Sequence, residues 1–302
     1  MTKRILPVFE RHEPTSLDHT ATKEFKKCPR SYFYRMVLGR SAPEGQWETV
    51  FAWGSSLHKF LEVLYKTDNV LLATEEAAKL FRAPSHHRFM FQDKARWNQT
   101  ILELFKFYTE EKRAGMIEVL AIEQPWHLVF PDGKTIGGRF DQLVKWNGRI
   151  WVRDWKTTSK QLNYFSMGLD PNDQAMRYIY AASCLQFGQD KNGYPVKVID
   201  GVLFPAIINM KSVGPKIQVV TRSSTLSQVC QWVEEQKFIH RQMDMCREED
   251  IWPMYEVNCG FCDYRVVCTQ PSEAAMENML RMSFKLQPWD HTTVDQTVKA
   301  EA

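Results

Sequence analysis

The sequence predicts a mixed α/β protein: a sheet core preceded by a helical insertion, with the two chain ends drawn together. Three observations predict it. Apolar residues recur at helical spacing up to about residue 115 and give way to strand-like stretches from about Val119. Asn147-Gly148, the strongest short hairpin signal, joins two of those stretches. Four cysteines divide between the ends, Cys28 in one and Cys259, Cys262 and Cys268, spaced C-x2-C-x5-C, in the other. A 302-residue chain with 44% apolar residues can build a core without metal. A cysteine-bound metal would therefore act locally, holding distant segments together.

The elements follow in order. Residues 16–40 read as helical with an interruption at Cys28-Pro29, because the proline ring suits the first turn of a new helix. Lys23, Lys26, Lys27, Arg30, Arg35 and Arg40 crowd this segment, interleaved with Phe25, Tyr32, Phe33 and Tyr34. Such cations meet phosphates and such rings stack bases; a solvated basic face backed by a buried aromatic face is the competing reading. In the helical region 53–115, Leu57, Phe60, Leu61 and Leu64 keep helical spacing, and 74–82 and 93–114 read as further helices. Residues 83–92 (APSHHRFMFQ) read as a loop or lid.

The sheet region is expected over 119–222 and to be mostly antiparallel. VLAIEQPWHLVF is a strand and Pro131-Asp132-Gly133 a turn. KTIGGRFDQLVKW and RIWVRDWKT flank the hairpin turn. Asp170-Pro171 reads as an N-cap and first helical position for a helix through QAMRYIYAASCLQF. VKVIDGVLFPAI and KIQVVTRS are strands, 225–248 a long helix, 251–270 the cysteine segment and 286–302 a flexible tail. One compact domain over 1–285 is expected.

Bulk properties exclude several classes. No apolar stretch approaches the ~18 residues of a membrane span, and MTKRILPVFERHEP lacks the apolar segment of a secretory signal. Seven cysteines without a disulfide-like spacing fit a reducing cytoplasm. Cys184, Cys230 and Cys246 fall in expected helices and read as buried or free thiols. A net charge of +3 is a weak sign of a nucleic-acid partner. No G-x4-G-K-[ST] is present, so any unwinding needs another protein.

The hairpin allows a geometric argument. With a two-residue loop at Asn147-Gly148, paired residue numbers sum to a constant, and Asp141 falls opposite Asp154 in a non-hydrogen-bonded pair. Like charges so placed repel, and a divalent cation between them converts repulsion into ligation. Lys156 shares the face of Asp154, where it can orient a water or stabilise charge on a phosphate. The same register sets Arg139 against Lys156, so the strands are expected to bend or part there. A surface hairpin with scattered charges is the competing reading. His58, on the helix after Gly54, Gln174 and Tyr178, spaced i, i+4, and Glu123, before a proline, are further candidates whose ordinary roles are packing or solvation.

In combination these segments resemble the PD-(D/E)XK nuclease superfamily, in particular its iron–sulfur branch of RecB-like, AddB-like and CRISPR-associated exonucleases. The resemblance covers about residues 16–268. It runs through SLDHTATKEFKKCPRSYFYRMVLG, GSSLHKFLE, GGRFDQLV, VRDWKTT, QAMRYIY and CGFCDYRVVC. It implies a restriction-endonuclease-like mixed sheet flanked by helices. It implies His58, Asp141 and Asp154 as ligands of Mg²⁺ or Mn²⁺, with the Trp155 carbonyl as another, Lys156 as catalytic, and Gln174 and Tyr178 as supports of the site or of DNA contacts. Glu123 matches a variable acidic position. Trp155 stands where tyrosine is frequent and Asp154 where others have glutamate; neither change removes a required group.

The resemblance also implies that Cys28, Cys259, Cys262 and Cys268 hold a 4Fe-4S cluster, for which zinc is the rival on spacing alone. The implied activity is metal-dependent hydrolysis of DNA, exonucleolytic and also endonucleolytic on single strands, in recombination, repair or CRISPR adaptation. The implied partners are single-stranded DNA or duplex ends and a helicase, recombinase or CRISPR integrase. A non-catalytic DNA-end-binding subunit is the alternative.

Overall fold

The computed structural model describes residues 10–12, 14–42, 48–82, 91–169, 172–210 and 214–290. In chain order the elements are α1 (His19–Lys27), α2 (Pro29–Tyr32), a π-helical turn (Phe33–Val37), β1 (Arg40–Ser41), α3 (Glu48–Thr67), α4 (Val70–Arg82) and α5 (Phe91–Ala114). There follow β2 (Ile117–Val129), β3 (Thr135–Trp146), β4 (Arg149–Arg153), β5 (Lys156–Thr158), α6 (Leu162–Met167) and α7 (Asp173–Phe187). The chain continues with β6 (Gly201–Ile208), β7 (Lys216–Arg222), α8 (Leu226–Glu249), a 3₁₀ turn (Glu256–Phe261), α9 (Arg265–Cys268), α10 (Glu273–Ser283) and β8 (Lys285–Leu286). The loop expected at 83–92 and the Asp170-Pro171 cap fall largely outside the described residues. Asn172 caps α7, its side chain accepting from the Ala175 N–H. Among the described residues no helix is long and apolar enough to cross a membrane.

The backbone clusters into two compact units of non-contiguous segments. One comprises the described parts of 46–126 and 139–230, the other those of 1–45, 127–138 and 231–290.

The first unit carries the larger sheet, ordered β2-β3-β4-β6-β5 with β7 also on β6. The expected hairpin register holds from Trp146↔Arg149 to Gln142↔Arg153. The expectation of a mostly antiparallel sheet is corrected. β6 runs parallel to both β4 and β5 and antiparallel only to β7, which makes the sheet mixed. GVLFPAII is buried along its whole length, as suits a strand covered on both faces. Gly201 opens it with φ +147°; a Cβ there would stand 2.1 Å from the Arg222 carbonyl oxygen, so only glycine lets β7 approach this closely.

RIWVRDWKT, expected as one strand, is two. Arg153 pairs with Leu203 and Lys156 with Ala206, so the gap at Asp154-Trp155 lies beside Phe204-Pro205. The Leu203 carbonyl accepts from the Asp154 N–H at 2.9 Å. Pro205, two residues on, faces the same way but has no N–H to give. The ladder therefore lapses where proline removes its donor.

The helical insertion packs as its periodicity demands. Leu57, Phe60, Leu61 and Leu64 of α3 join Ala73, Ala77 and Phe81 of α4 and Trp97, Ile101, Leu104 and Tyr108 of α5 around Trp155 and Ile207. Gly54 brings α3 near β5: a Cβ there would lie 3.7 Å from the Thr157 hydroxyl.

In the second unit Cys28 is extended and Pro29 opens α2. The use of Phe25, Tyr32, Phe33 and Tyr34 as base-stacking rings is corrected, because all four are buried. Tyr32 and Phe33 stack on Trp252 at 5.9 and 5.1 Å, and Tyr34 meets Tyr264 at 5.5 Å. Helical spacing turns Lys23 and Lys26 outward and the rings inward. The same unit joins the two chain ends. β1 pairs with β8, the Arg30 N–H donates to the Pro253 carbonyl at 3.1 Å, and the Asn258 amide donates to the Lys27 carbonyl at 2.7 Å.

Candidate active site

Within the first unit the break after β4 collects the polar residues anticipated from the sequence. Asp141 lies at the end of the paired part of β3 and Asp154 just beyond β4. The Trp155 N–H, released from the ladder, donates to Asp141 Oδ2 at 2.9 Å. On α3, His58 Nδ1 stands 3.2 Å from the same oxygen. Lys156 Nζ lies 2.6 Å from Asp154 Oδ2. On α7, Gln174 Nε2 donates to the Tyr178 hydroxyl at 2.9 Å, which donates to Asp154 Oδ1 at 3.3 Å. One turn of helix thus supports the aspartate through a two-step relay.

Glu123 completes the group. Its carboxylate, the His58 imidazole and the Asp141 carboxylate each present a ligand atom, all within 4.8 Å of one another. Two hard oxygens and an imidazole suit a divalent cation such as Mg²⁺ or Mn²⁺. Arg139, which the ideal register set against Lys156, instead pairs with Glu123 at 2.9 Å. Glu123 sits at φ +49°, a left-handed conformation costly for a residue with a side chain, and held in the middle of β2. Glutamate before Gln-Pro does not advertise that conformation, so its convergence on His58 and Asp141 is a product of the fold.

The electrostatics follow from crowding. Burial, then the Asp141 charge, pushes the Glu123 carboxyl up to about 7. Burial also raises Asp154, despite Lys156 beside it. Asp141 goes the other way: burial opposes ionisation, but the His58 charge and hydrogen bond outweigh it and hold its carboxyl below the ordinary range. Burial would lower His58; Asp141, with help from Asp154, overrides it and carries the imidazole to about 9. Though a third of its side-chain surface is open (32%), His58 is walled by these carboxylates. Glu123 and Asp154 are thus both raised by burial, while Asp141 beside His58 is lowered.

Trp155 is anchored by its ring, which is buried against Phe107 at 5.6 Å and Tyr65 at 6.4 Å. The Arg153 guanidinium lies over it at 5.3 Å. Arg153 is itself buried and bonded to Glu111 and Gln142. Neither Pro205 nor Arg153 figured in the reading of the sequence. A proline inside an apolar strand is a signal that could have found the break.

In the second unit, Cys28 is buried and Cys259, Cys262 and Cys268 are half-buried. Cys28 and Cys262 both raise the Cys268 thiol through charge, after burial and against Arg30. Cys259 Sγ contacts the Tyr255 carbonyl at 3.9 Å. Among the described residues no three cysteine sulfurs come as close together as the ligands of a single ion would.

A family model described as the PD-(D/E)XK nuclease superfamily matches residues 16–269. Among solved structures, a "putative exonuclease" from Eubacterium rectale is similar at 12% identity and a TM-score of 0.50, over 82% of this chain and 88% of that one. The structure of SSO0001 matches at 13% identity and a TM-score of 0.30, over 76% and 96%. No curated protein matches the chain.

Proposed function

Since the chain belongs to the PD-(D/E)XK nuclease superfamily, we propose that this member is a metal-dependent DNA exonuclease that also cuts single strands internally. The single observation that carries the reading is the convergence of His58, Glu123 and Asp141 beside the Asp154–Lys156 pair. A divalent cation held there would polarise a phosphate and make bound water acidic.

The chain's own groups do the rest. His58, Asp141 and Asp154 are the proposed ligands, with the Trp155 carbonyl and with Glu123, whose proximity to His58 and Asp141 supports its inclusion. Lys156, 2.6 Å from Asp154, is placed to orient the attacking water or to neutralise charge on the scissile phosphate. Gln174 and Tyr178 position Asp154. The product would carry a 5′-phosphate. The name of the Eubacterium rectale protein agrees with exonuclease action.

Cys28, Cys259, Cys262 and Cys268 are proposed to hold a 4Fe-4S cluster that clasps the two ends of the chain. Three of the four interact through charge, and the flanking segments are hydrogen-bonded to each other. The proposed setting is recombination, repair or CRISPR adaptation in the cytoplasm, beside a helicase, recombinase or integrase that supplies unwound DNA.

The test is anaerobically purified protein incubated with end-labelled single- and double-stranded DNA and Mg²⁺ or Mn²⁺. Progressive shortening from an end is expected, absent with EDTA. Intact DNA under every metal condition would overturn the reading in favour of an end-binding module.

A further inference from the structure

The 3₁₀ turn between Tyr255 and Cys262 carries two apolar side chains almost wholly in solvent: Phe261 is 99% exposed and Val257 96%. Burial of apolar surface is the main force of folding, so a phenylalanine ring left open at the tip of a turn contributes nothing to this unit's core. The backbone that presents it is nevertheless well held. The Asn258 N–H donates to the Tyr255 carbonyl, the Cys262 N–H to the Cys259 carbonyl at 3.3 Å, and the Asn258 amide to the Lys27 carbonyl at 2.7 Å. Gly260, beside Phe261, has open space where a side chain would be. The turn is a fixed projection rather than a loose loop.

Its surroundings are cationic. The Asn258–Lys27 bond sets the turn against the C-terminal end of α1, whose Lys23 and Lys26 are exposed and Lys27 half-buried. Arg30 follows in α2, and Arg265 begins α9, bonded through its N–H to the Cys262 carbonyl. Glu256 and Asp263 are the exposed acids of the same stretch, and Glu24 is buried against Arg35 and Lys27. Positive charge therefore exceeds negative around an exposed aromatic ring. A polyanion with flat apolar faces satisfies both features, since its phosphates meet the lysines and a base covers the ring. A protein partner would need acids set beside its apolar contact to meet the lysines as well, whereas every nucleotide carries both a phosphate and a flat base.

We infer that Phe261 is a stacking platform for an unpaired base of a DNA strand whose phosphates run over Lys23, Lys26 and Lys27. The inference rests on the nuclease reading for the identity of the strand. It moves the aromatic role from the buried rings of α2 and the π turn to a residue between two of the cysteines.

The experiment uses the full chain in EDTA, so that binding is read without cleavage. Fluorescence anisotropy follows a labelled single strand and a blunt duplex across a salt series. Phe261→Ala should weaken single-strand binding by about tenfold, with little loss on the duplex and an unchanged salt slope. Phe261→Tyr, which keeps the ring, should bind like wild type. Lys26→Glu with Lys27→Glu should instead flatten the salt slope. Because Phe261 packs on nothing, loss of fold does not confuse the result. Wild-type affinity in Phe261→Ala, or equal losses in the alanine and tyrosine variants, would overturn the inference and leave a protein-docking tip. The nuclease reading is judged separately, by restoring Mg²⁺ or Mn²⁺. If wild type binds the strand but never cuts it, that reading fails and the stacking platform stands. If wild type binds no DNA, both fall.

Discussion

The Trp155 N–H donates to Asp141 Oδ2 across 2.9 Å. Hairpin register would set Asp141 directly against Asp154, two carboxylates on one face. The break opposite Pro205 instead hands Asp141 a backbone donor and lets Lys156 close on Asp154 at 2.6 Å. The strand defect thus converts a repulsive pair into two carboxylates with distinct partners, one beside His58 and one beside a lysine.

That division predicts separable roles. Asp154→Ala should abolish cleavage and weaken Mn²⁺ binding in calorimetry. Lys156→Ala should lose cleavage by about a thousandfold, the scale of an electrostatic stabiliser, while Mn²⁺ and DNA still bind. Wild-type cleavage in either folded variant would remove the assignment.

The pH dependence has a definite sign. Glu123 rises from an ordinary 4.5 to about 7, so between those values the folded chain keeps a proton that the unfolded chain has released. Its contribution makes metal-free stability fall as pH rises through that window. His58 rises from 6.5 to about 9; its contribution is fully present below 6.5 and is lost towards 9. A cation needs both groups deprotonated. The increase in melting temperature on adding Mn²⁺ should therefore be small near pH 6 and larger near pH 8. Glu123→Gln should flatten the lower part of that rise. A metal-induced increase that does not vary with pH would contradict the ligand set.

The cysteine clasp predicts a composition. Anaerobically prepared protein should contain iron and acid-labile sulfide. Alanine at Cys28, Cys259, Cys262 or Cys268 should remove the iron and make segments 16–40 and 251–270 exchange amide hydrogen faster. Zinc in place of iron would exclude the cluster but keep the clasp.

Trp155 predicts a stability effect apart from chemistry. Its buried ring fills the space between Phe107, Tyr65 and the Arg153 guanidinium. Trp155→Ala should cost about 3–5 kcal/mol in denaturant unfolding, and Trp155→Phe less. Equal stability of the alanine variant would mean that the ring is not a support of the break.

Sequence by itself determined the features that rest on local rules. Asn147-Gly148 specified the hairpin register because a two-residue loop leaves no freedom in pairing. Pro29 marked the start of α2, and the leucine and phenylalanine spacing of α3 marked its buried face. The order of short motifs indicated the superfamily that the family match then showed. Tertiary structure alone decided three others. The apolar run of β6 suits a strand covered on both faces, but its parallel pairing with β4 and β5 is set by non-local contacts that the run does not specify. Glu123 reaches His58 and Asp141 through a left-handed backbone that its neighbours do not encode. The aromatic rings of α2 and the π turn face inward, with Phe261 left outside. Composition says which residues can stack on a base, but only packing decides which of them remain exposed to do so.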